Sequence, residues 1–111
     1  MSKGRKYSMP APAGGMMREF QRLQEELDRA REALAEETVT ISVGGGAVTI
    51  EMTGTQVCRA VKLAPEVLAS ADADLLADML LAAFNQAVEA SQALAAKRLS
   101  PLTDGLSRGA G

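Results

Sequence analysis

Residues 38–53 read TVTISVGGGAVTIEMT, and this stretch decides the fold. Its first six and last six residues each alternate apolar with polar side chains, which is the pattern of a half-buried β-strand. The three glycines between them can reverse the chain, so the stretch predicts a β-hairpin. A Thr-Gly-Thr turn at residues 53–55 leads to a third strand over about residues 56–63. We therefore expect a three-stranded antiparallel meander.

The third strand departs from strict alternation. Val61 and Leu63 share a face with Arg59, whereas Cys58 and Ala60 lie on the other face. Either a β-bulge shifts the register, or the sheet is buried on both faces. The sequence leaves both interpretations open.

Helical periodicity precedes the strands. Apolar side chains recur at steps of three and four from Phe20 to Leu34, so they form one narrow stripe similar to a coiled-coil seam. This pattern predicts a helix from about Met16 to Glu37. The first fifteen residues contain five glycines and prolines, which disfavour helix and strand. We expect residues 1–15 to form a flexible basic arm.

A second helix is predicted after Pro65. A wide apolar stripe continues for about 28 residues, begins at a cap formed by Ser70 or Asp72, and stops near Ser100 and Pro101. The fold class is therefore α+β, in the order α-β-β-β-α. Residues 16–100 form the predicted domain, and residues 101–111 form a flexible tail.

The length of the second helix points to a homodimer. At 1.5 Å per residue this helix is about 42 Å long, while strands of six to eight residues span only about 20 to 27 Å. Much of the apolar stripe therefore overhangs the sheet, and the narrow first helix cannot cover both the overhang and the second face of the sheet. A two-fold partner would cover it.

The composition argues against an enzyme. The chain of 111 residues contains no histidine, which removes the usual general base and the commonest metal ligand. The single cysteine cannot form an internal disulfide, as expected in a reducing compartment. The N-terminal residues carry charge without an apolar segment, and no run approaches about 18 apolar residues. We expect a soluble cytoplasmic protein.

Three motifs have both a chemical and a structural interpretation. Glycines 44–46 could form a phosphate loop, but no Lys-Ser/Thr follows, so a hairpin turn is favoured. Asp72, Asp74 and Asp78 could bind Mg²⁺, but the sequence supplies no further ligands, so capping and helix-dipole interactions are favoured. Cys58 has no histidine to activate it and is interpreted as a small structural side chain. We predict no catalytic residue, metal site or cofactor.

Positive charge is concentrated at the N-terminus. Residues 1–18 carry Lys3, Arg5, Lys6 and Arg18 without any acid, whereas residues 19–37 carry three bases and seven acids. Arg18, Arg22 and Arg29 lie at about 0°, 40° and 20° around the first helix, so they form one edge. A solvated terminus and surface pairs such as Glu25 with Arg29 are the alternative interpretation. Arg18 at the helix start opposes the macrodipole, which slightly favours a binding role.

Several short motifs together carry a family resemblance. They are Met16-Met17, Gly46-Ala47-Val48, Gly54, Cys58-Arg59-Ala60-Val61, Pro65 with Leu68, and Ala82-Ala83-Phe84-Asn85-Gln86-Ala87. In order and spacing, about residues 16–106 resemble the YbaB/EbfC family of bacterial nucleoid-associated proteins. The resemblance implies a tweezer-like homodimer whose sheets join at the centre and whose helices project. It also implies binding of duplex DNA with little or relaxed sequence preference, and no catalytic activity.

The resemblance implies that duplex DNA is the partner of the basic residues in the arm and the first helix. Family members often carry basic residues where this chain has Thr49 and Val88-Glu89, so phosphate contacts here fall to the arm and the first helix. We expect a protein of the nucleoid with duplex DNA and a second copy as partners, and no membrane or small-molecule substrate. The alternative is a protein-interaction module that uses its projecting helices. The candidate DNA-binding residues are Lys3, Arg5, Lys6, Arg18, Arg22 and Arg29.

Overall fold

The computed structural model describes residues 10–70 and 72–110, and side chains for residues 15–70 and 72–104. It confirms the α+β class and the order of the predicted elements, and adds one short helix after the sheet. The elements are α1 (Pro10–Glu36), β1 (Thr38–Val43), β2 (Val48–Thr53), β3 (Cys58–Leu63), α2 (Pro65–Ser70) and α3 (Ala73–Ala110).

The three strands form an antiparallel meander in the order β1-β2-β3. Ile41 pairs with Ile50, and Ile50 pairs with Val61, so these side chains share one face of the sheet. The register between β2 and β3 shifts at Glu51 and Met52. The irregular alternation of β3 therefore reflects a β-bulge, which is one of the two alternatives.

Both turns of the meander use the left-handed backbone region. Glycines 44–46 all have positive φ, which a residue without Cβ adopts at no steric cost, so they form the predicted hairpin turn. Gln56 also has a positive φ, of 67°. It belongs to the turn, and β3 begins at Cys58, two residues later than expected.

The core lies between one face of the sheet and α3. Its buried members are Val48, Ile50 and Met52 of β2, and Ala83 and Ala87 of α3. The two alanines have small side chains, so the helix can approach the sheet closely. α3 packs over β1 and β2 and makes little contact with β3.

α1 begins earlier than the sequence indicated. The structure places its start at Pro10, not Met16, so the helix includes the last part of the segment assigned to the flexible arm. Pro10 and Pro12 lie in the first turn, where backbone N–H groups have no acceptor within the helix. Proline therefore loses no hydrogen bond there. Residues 1–9 lie outside the described part of the chain.

α3 also extends further than predicted, through Pro101 to Ala110. A proline removes one backbone hydrogen bond and can kink a helix without ending it. Leu99 and Leu102, on either side of Pro101, are half-buried, which favours continuation. At the other end, the Leu75 N–H donates to Asp72 Oδ1 at 2.7 Å, so the predicted Asp72 cap is confirmed.

The overhang of α3 beyond the sheet is partly covered within the chain, because α1 packs against α3. Some of the exposed apolar side chains lie beside β3. Val61 faces the same side as buried Ile50 but is 45% exposed, and Val57 is also exposed. Leu75, near the start of α3, is exposed as well.

Candidate nucleic-acid interface

The three arginines of α1 that are predicted to bind DNA are exposed along one edge of the helix. Arg18, Arg22 and Arg29 lie within about 40° of each other around the axis, and the edge spans about 17 Å from the first to the last. None of them forms an ion pair with a described side chain. The predicted pair of Glu25 with Arg29 is absent among those side chains. These guanidinium groups are therefore available to an external anion.

The other arginines of the described side chains are each paired with a carboxylate. Arg31 lies 3.7 Å from Asp28, one turn away on α1. Arg59 of β3 lies 3.8 Å from Glu36. Arg98 of α3 pairs with Glu37. The three arginines of the edge, which have no ion pair among the described side chains, thus differ from Arg31, Arg59 and Arg98, which are each paired.

The charge of this edge changes along α1. Glu25, Glu32 and Glu36 lie on the same side of the helix as the three arginines. Two of these acids lie beyond Arg29, so the edge is basic at its start and acidic where the helix joins the sheet. A polyanion is favoured only at the outer part.

A separate apolar stripe runs along another face of α1, about 140° from the arginine edge. Leu34 is buried at its inner end, whereas Phe20 and Met16 at its outer end are 52% and 71% exposed. Met17, beside this stripe, is exposed as well. α1 packs against α3, and Glu37, which follows the inner end of α1, pairs with Arg98 of α3. The outer part of α1 therefore carries both exposed cations and exposed apolar side chains.

The junction of α1 with the sheet is held by a bidentate ion pair. Arg98 Nε donates to Glu37 Oε1 at 3.0 Å, and Arg98 Nη2 donates to Glu37 Oε2. The hydrogen bonds from Arg98 lower the pKa of the Glu37 carboxyl below its ordinary value, against a smaller desolvation effect. The positive charge of Lys97 acts in the same direction. The Glu37 carboxyl is therefore ionised in the folded protein near neutral pH.

Lys62 and Lys97 are exposed cations that the sequence analysis did not select. Lys62 lies on the outer face of the sheet, where it lines a shallow depression with Thr40, Thr49, Glu51 and Ala60. Lys97 lies on α3 beside the Glu37 pair. Only tertiary packing places them near other charges, so helix periodicity could not have identified them.

Glycines 44–46 and Asp72 have structural roles, whereas no such role is shown for Cys58. Glycines 44–46 form the hairpin turn, and Asp72 caps α3. Cys58 is exposed rather than packed in the core, and its Sγ lies 3.7 Å from the Ala60 carbonyl oxygen. Within residues 15–70 and 72–104, no group of three His, Cys, Asp or Glu side chains could hold a metal ion. No helix in the described part of the chain is long and apolar enough to cross a membrane.

The predicted contacts of Lys3, Arg5 and Lys6 lie outside the described residues. Their part in the interface stays a prediction from the charge distribution.

Comparison with a solved structure supports the fold. The crystal structure of an uncharacterized protein from Helicobacter pylori matches with a TM-score of 0.55 over 93% of this chain and 99% of that chain. The two sequences are only 20% identical, so this likeness concerns the fold alone.

Sequence comparison identifies the family. A nucleoid-associated protein of Acetivibrio thermocellus is 33% identical over 96% of this chain and 94% of its own. One from Chloroflexus aurantiacus is 37% identical over 82% of this chain and 91% of its own. The sequence profile of the YbaB/EbfC DNA-binding family matches residues 10–106. The resemblance inferred from short motifs is thereby confirmed, and the family is one of nucleoid-associated DNA-binding proteins, not of enzymes. The chain belongs to the YbaB/EbfC DNA-binding family.

Proposed function

We propose that this protein binds duplex DNA in the nucleoid as a homodimer, with little sequence preference, through the arginine edge of α1 (Arg18, Arg22, Arg29) and the basic segment containing Lys3, Arg5 and Lys6. The observation that carries the proposal is the contrast among the arginines. Those of the edge have no ion pair among the described side chains, whereas Arg31, Arg59 and Arg98 are each paired. The family match supports DNA as the polyanion.

The edge fits phosphates better than bases. Its arginines are spread along about 17 Å of a helix that also carries acids on the same side. Contacts of this kind position a protein on the duplex and carry no sequence information. Binding should therefore be sensitive to salt and tolerant of sequence.

The homodimer is argued from β3. This strand is at an edge of the sheet, and unpaired edge groups can pair with another strand. Val61 and Val57 leave apolar surface beside it that α3 does not cover. Pairing of β3 with β3 of a second copy would join two sheets about a two-fold axis and cover these side chains. Two arginine edges would then act on one duplex.

Salt titration tests the DNA proposal. Replacing Arg22 by Ala should weaken binding to random duplexes and lower the log-log salt slope by about 1.8, for two contacts per dimer. Arg31→Ala is the matched control, because it removes the same charge from the same helix but from an arginine already paired with Asp28. Equal effects of the two variants would contradict the proposal.

Light scattering tests the homodimer. The wild type should have twice the mass of one chain, and Val61→Glu should shift it toward the monomer because it places a charge in the proposed interface. Thr40→Glu, an exposed position on the outer face of β1, should leave the mass unchanged. A wild-type monomer at micromolar concentration would refute this part of the proposal.

A protein-interaction role is the second candidate, because Met16, Met17 and Phe20 are exposed together at the outer part of α1. Clusters of exposed apolar side chains commonly mark interaction sites. Replacing Phe20 by Gln should then abolish capture of a protein partner that resists high salt. Salt-sensitive DNA binding that survives this replacement favours the first function.

A further inference from the structure

The last turn of α1 is fastened to the turn between β2 and β3. The Gly54 N–H donates to the Leu34 carbonyl oxygen and to the Glu37 carbonyl oxygen, both at 3.0 Å. The last carbonyl oxygens of a helix have no N–H donor within the helix. The β2–β3 turn therefore caps α1 and fixes where the helix ends.

The approach at this point requires glycine. A Cβ at position 54 would lie 2.5 Å from Leu34 Cδ2, and 3.1 Å from both the Cβ and the carbonyl oxygen of Leu34. Leu34 itself is 2% exposed. The turn and the helix are thus in direct contact, with no space for a side chain between them.

The same region is tied to α3 by two further contacts. Ser91 Oγ donates to the Thr53 carbonyl oxygen at 2.7 Å, and this hydrogen bond is buried. Arg98 makes its bidentate pair with Glu37, the residue that follows α1. Helix α1, the β2–β3 turn and α3 therefore meet at one junction.

We propose that this junction, formed by Leu34, Glu37, Gly54 and Arg98, positions α1 and so sets the direction in which the arginine edge meets DNA. The inference rests on the proposed function. Glu37 and Arg98 are positioning residues, because they act on DNA through α1 and do not contact it.

Because α1 is long, a small tilt of the helix at the junction produces a large displacement of the arginine edge. Arg18 lies sixteen residues from Leu34, or about 24 Å along the axis. A tilt of about 10° at the junction would move Arg18 by about 4 Å. Successive phosphates of one strand rise by about 3.4 Å along the duplex. Such a tilt would therefore shift the edge by about one phosphate.

Glu37→Gln gives the sharpest test, because charge alone and positioning predict opposite results. Removal of a negative charge should strengthen DNA binding if only the overall field matters. Loss of the bidentate pair should instead weaken it, by about two- to five-fold, which is the range that an exposed ion pair can contribute. Arg98→Gln should weaken binding by a similar factor without lowering the salt slope.

The charge-swapped variant, Glu37→Arg with Arg98→Glu, completes the experiment. It restores an ion pair without changing the net charge, so binding should return to within about two-fold of wild type. Spin labels at Gln24→Cys on α1 and Gln86→Cys on α3, in a Cys58→Ala background, report the direction of α1 without DNA. The distance distribution should broaden in each single variant and narrow again in the swap. Arg31→Gln is the control and should leave it unchanged.

Stronger binding by Glu37→Gln, or unchanged distances in both single variants, would overturn the proposal. A lowered salt slope in Arg98→Gln that the swap fails to restore would make Arg98 a phosphate contact, which also overturns it. If the wild type binds no duplex, the proposed function is wrong. The distances between the spin labels then still test whether the junction sets the direction of α1.

Discussion

The outer and inner parts of α1 carry the same apolar stripe but have opposite surroundings. From Met16 to Arg29 the apolar stripe ends in exposed side chains, and the arginine edge has no ion pair among the described residues. From Ala30 onward the stripe ends in buried Leu34, and Glu36 and Glu37 are paired with cations of other elements. One helix thus has an exposed outer part, to which we assign DNA binding, and an anchored inner part. The following predictions test this division.

The largest contrast is expected for two apolar residues of the same stripe. Leu34→Ala should lower the free energy of unfolding by about 2 to 5 kcal/mol, because it leaves a cavity under the β2–β3 turn. Phe20→Ala should change it by less than about 0.5 kcal/mol, since Phe20 is exposed. Chemical denaturation measures both. Similar losses would mean that the outer part of α1 is packed as well.

Two glycines of this region should respond with opposite sign. Gly54→Ala should destabilise the protein by about 1 to 3 kcal/mol, because its Cβ would force Leu34 and the helix backbone away. Gly15→Ala should stabilise it by about 0.5 to 1 kcal/mol, because Gly15 lies inside α1 with nothing within 4 Å of a Cβ. Thermal unfolding of the two variants distinguishes them. A neutral Gly54→Ala would show that α1 is not held against the turn.

A smaller effect is expected at Ser91. Ser91→Ala removes the buried hydrogen bond to the Thr53 carbonyl oxygen, but that oxygen keeps the N–H of Gln56 as a second donor. The loss should therefore be about 1 kcal/mol, the net value of one hydrogen bond, as read from the denaturation midpoint. A loss above about 3 kcal/mol would show that the bond holds more than the turn.

The smallest effect is a pH dependence of the junction. Arg98 lowers the pKa of Glu37 from its ordinary value of 4.5. The contribution of the ion pair to the free energy of unfolding is therefore complete above pH 4.5. It is lost as the pH falls from 4.5 through the lowered pKa. Between pH 6 and pH 3, wild type should lose more stability than Glu37→Gln, which cannot titrate. Parallel curves for the two proteins would contradict a stabilising pair.

The sequence predicts local elements well and their ends less well. Strands β1 and β2 match residue for residue, because β-branched alternation and three glycines leave little choice. The start of α1 was predicted six residues too late, and the end of α3 about ten residues too early. Pro10 lies where proline loses no hydrogen bond, and Pro101 follows a helix whose packing continues.

Only part of the candidate site could be read from sequence. The common edge of Arg18, Arg22 and Arg29 follows from helical geometry alone. Helical geometry does not predict which arginines form ion pairs, because Glu37 and Arg98 are 61 residues apart in the chain. The sequence likewise does not predict the junction at Gly54, since it depends on the contact between a turn and a distant helix.

Amide chemical-shift mapping with a random duplex tests the central claim most directly. On addition of DNA, the amide signals of residues 16–29 should move, and signals from the junction around Leu34 and from the sheet should move much less. The shifts should disappear as salt is raised, because phosphate contacts release counterions. Shifts centred on the outer face of the sheet, around Thr49 and Lys62, or no shifts on α1, would contradict the assignment of DNA binding to the arginine edge.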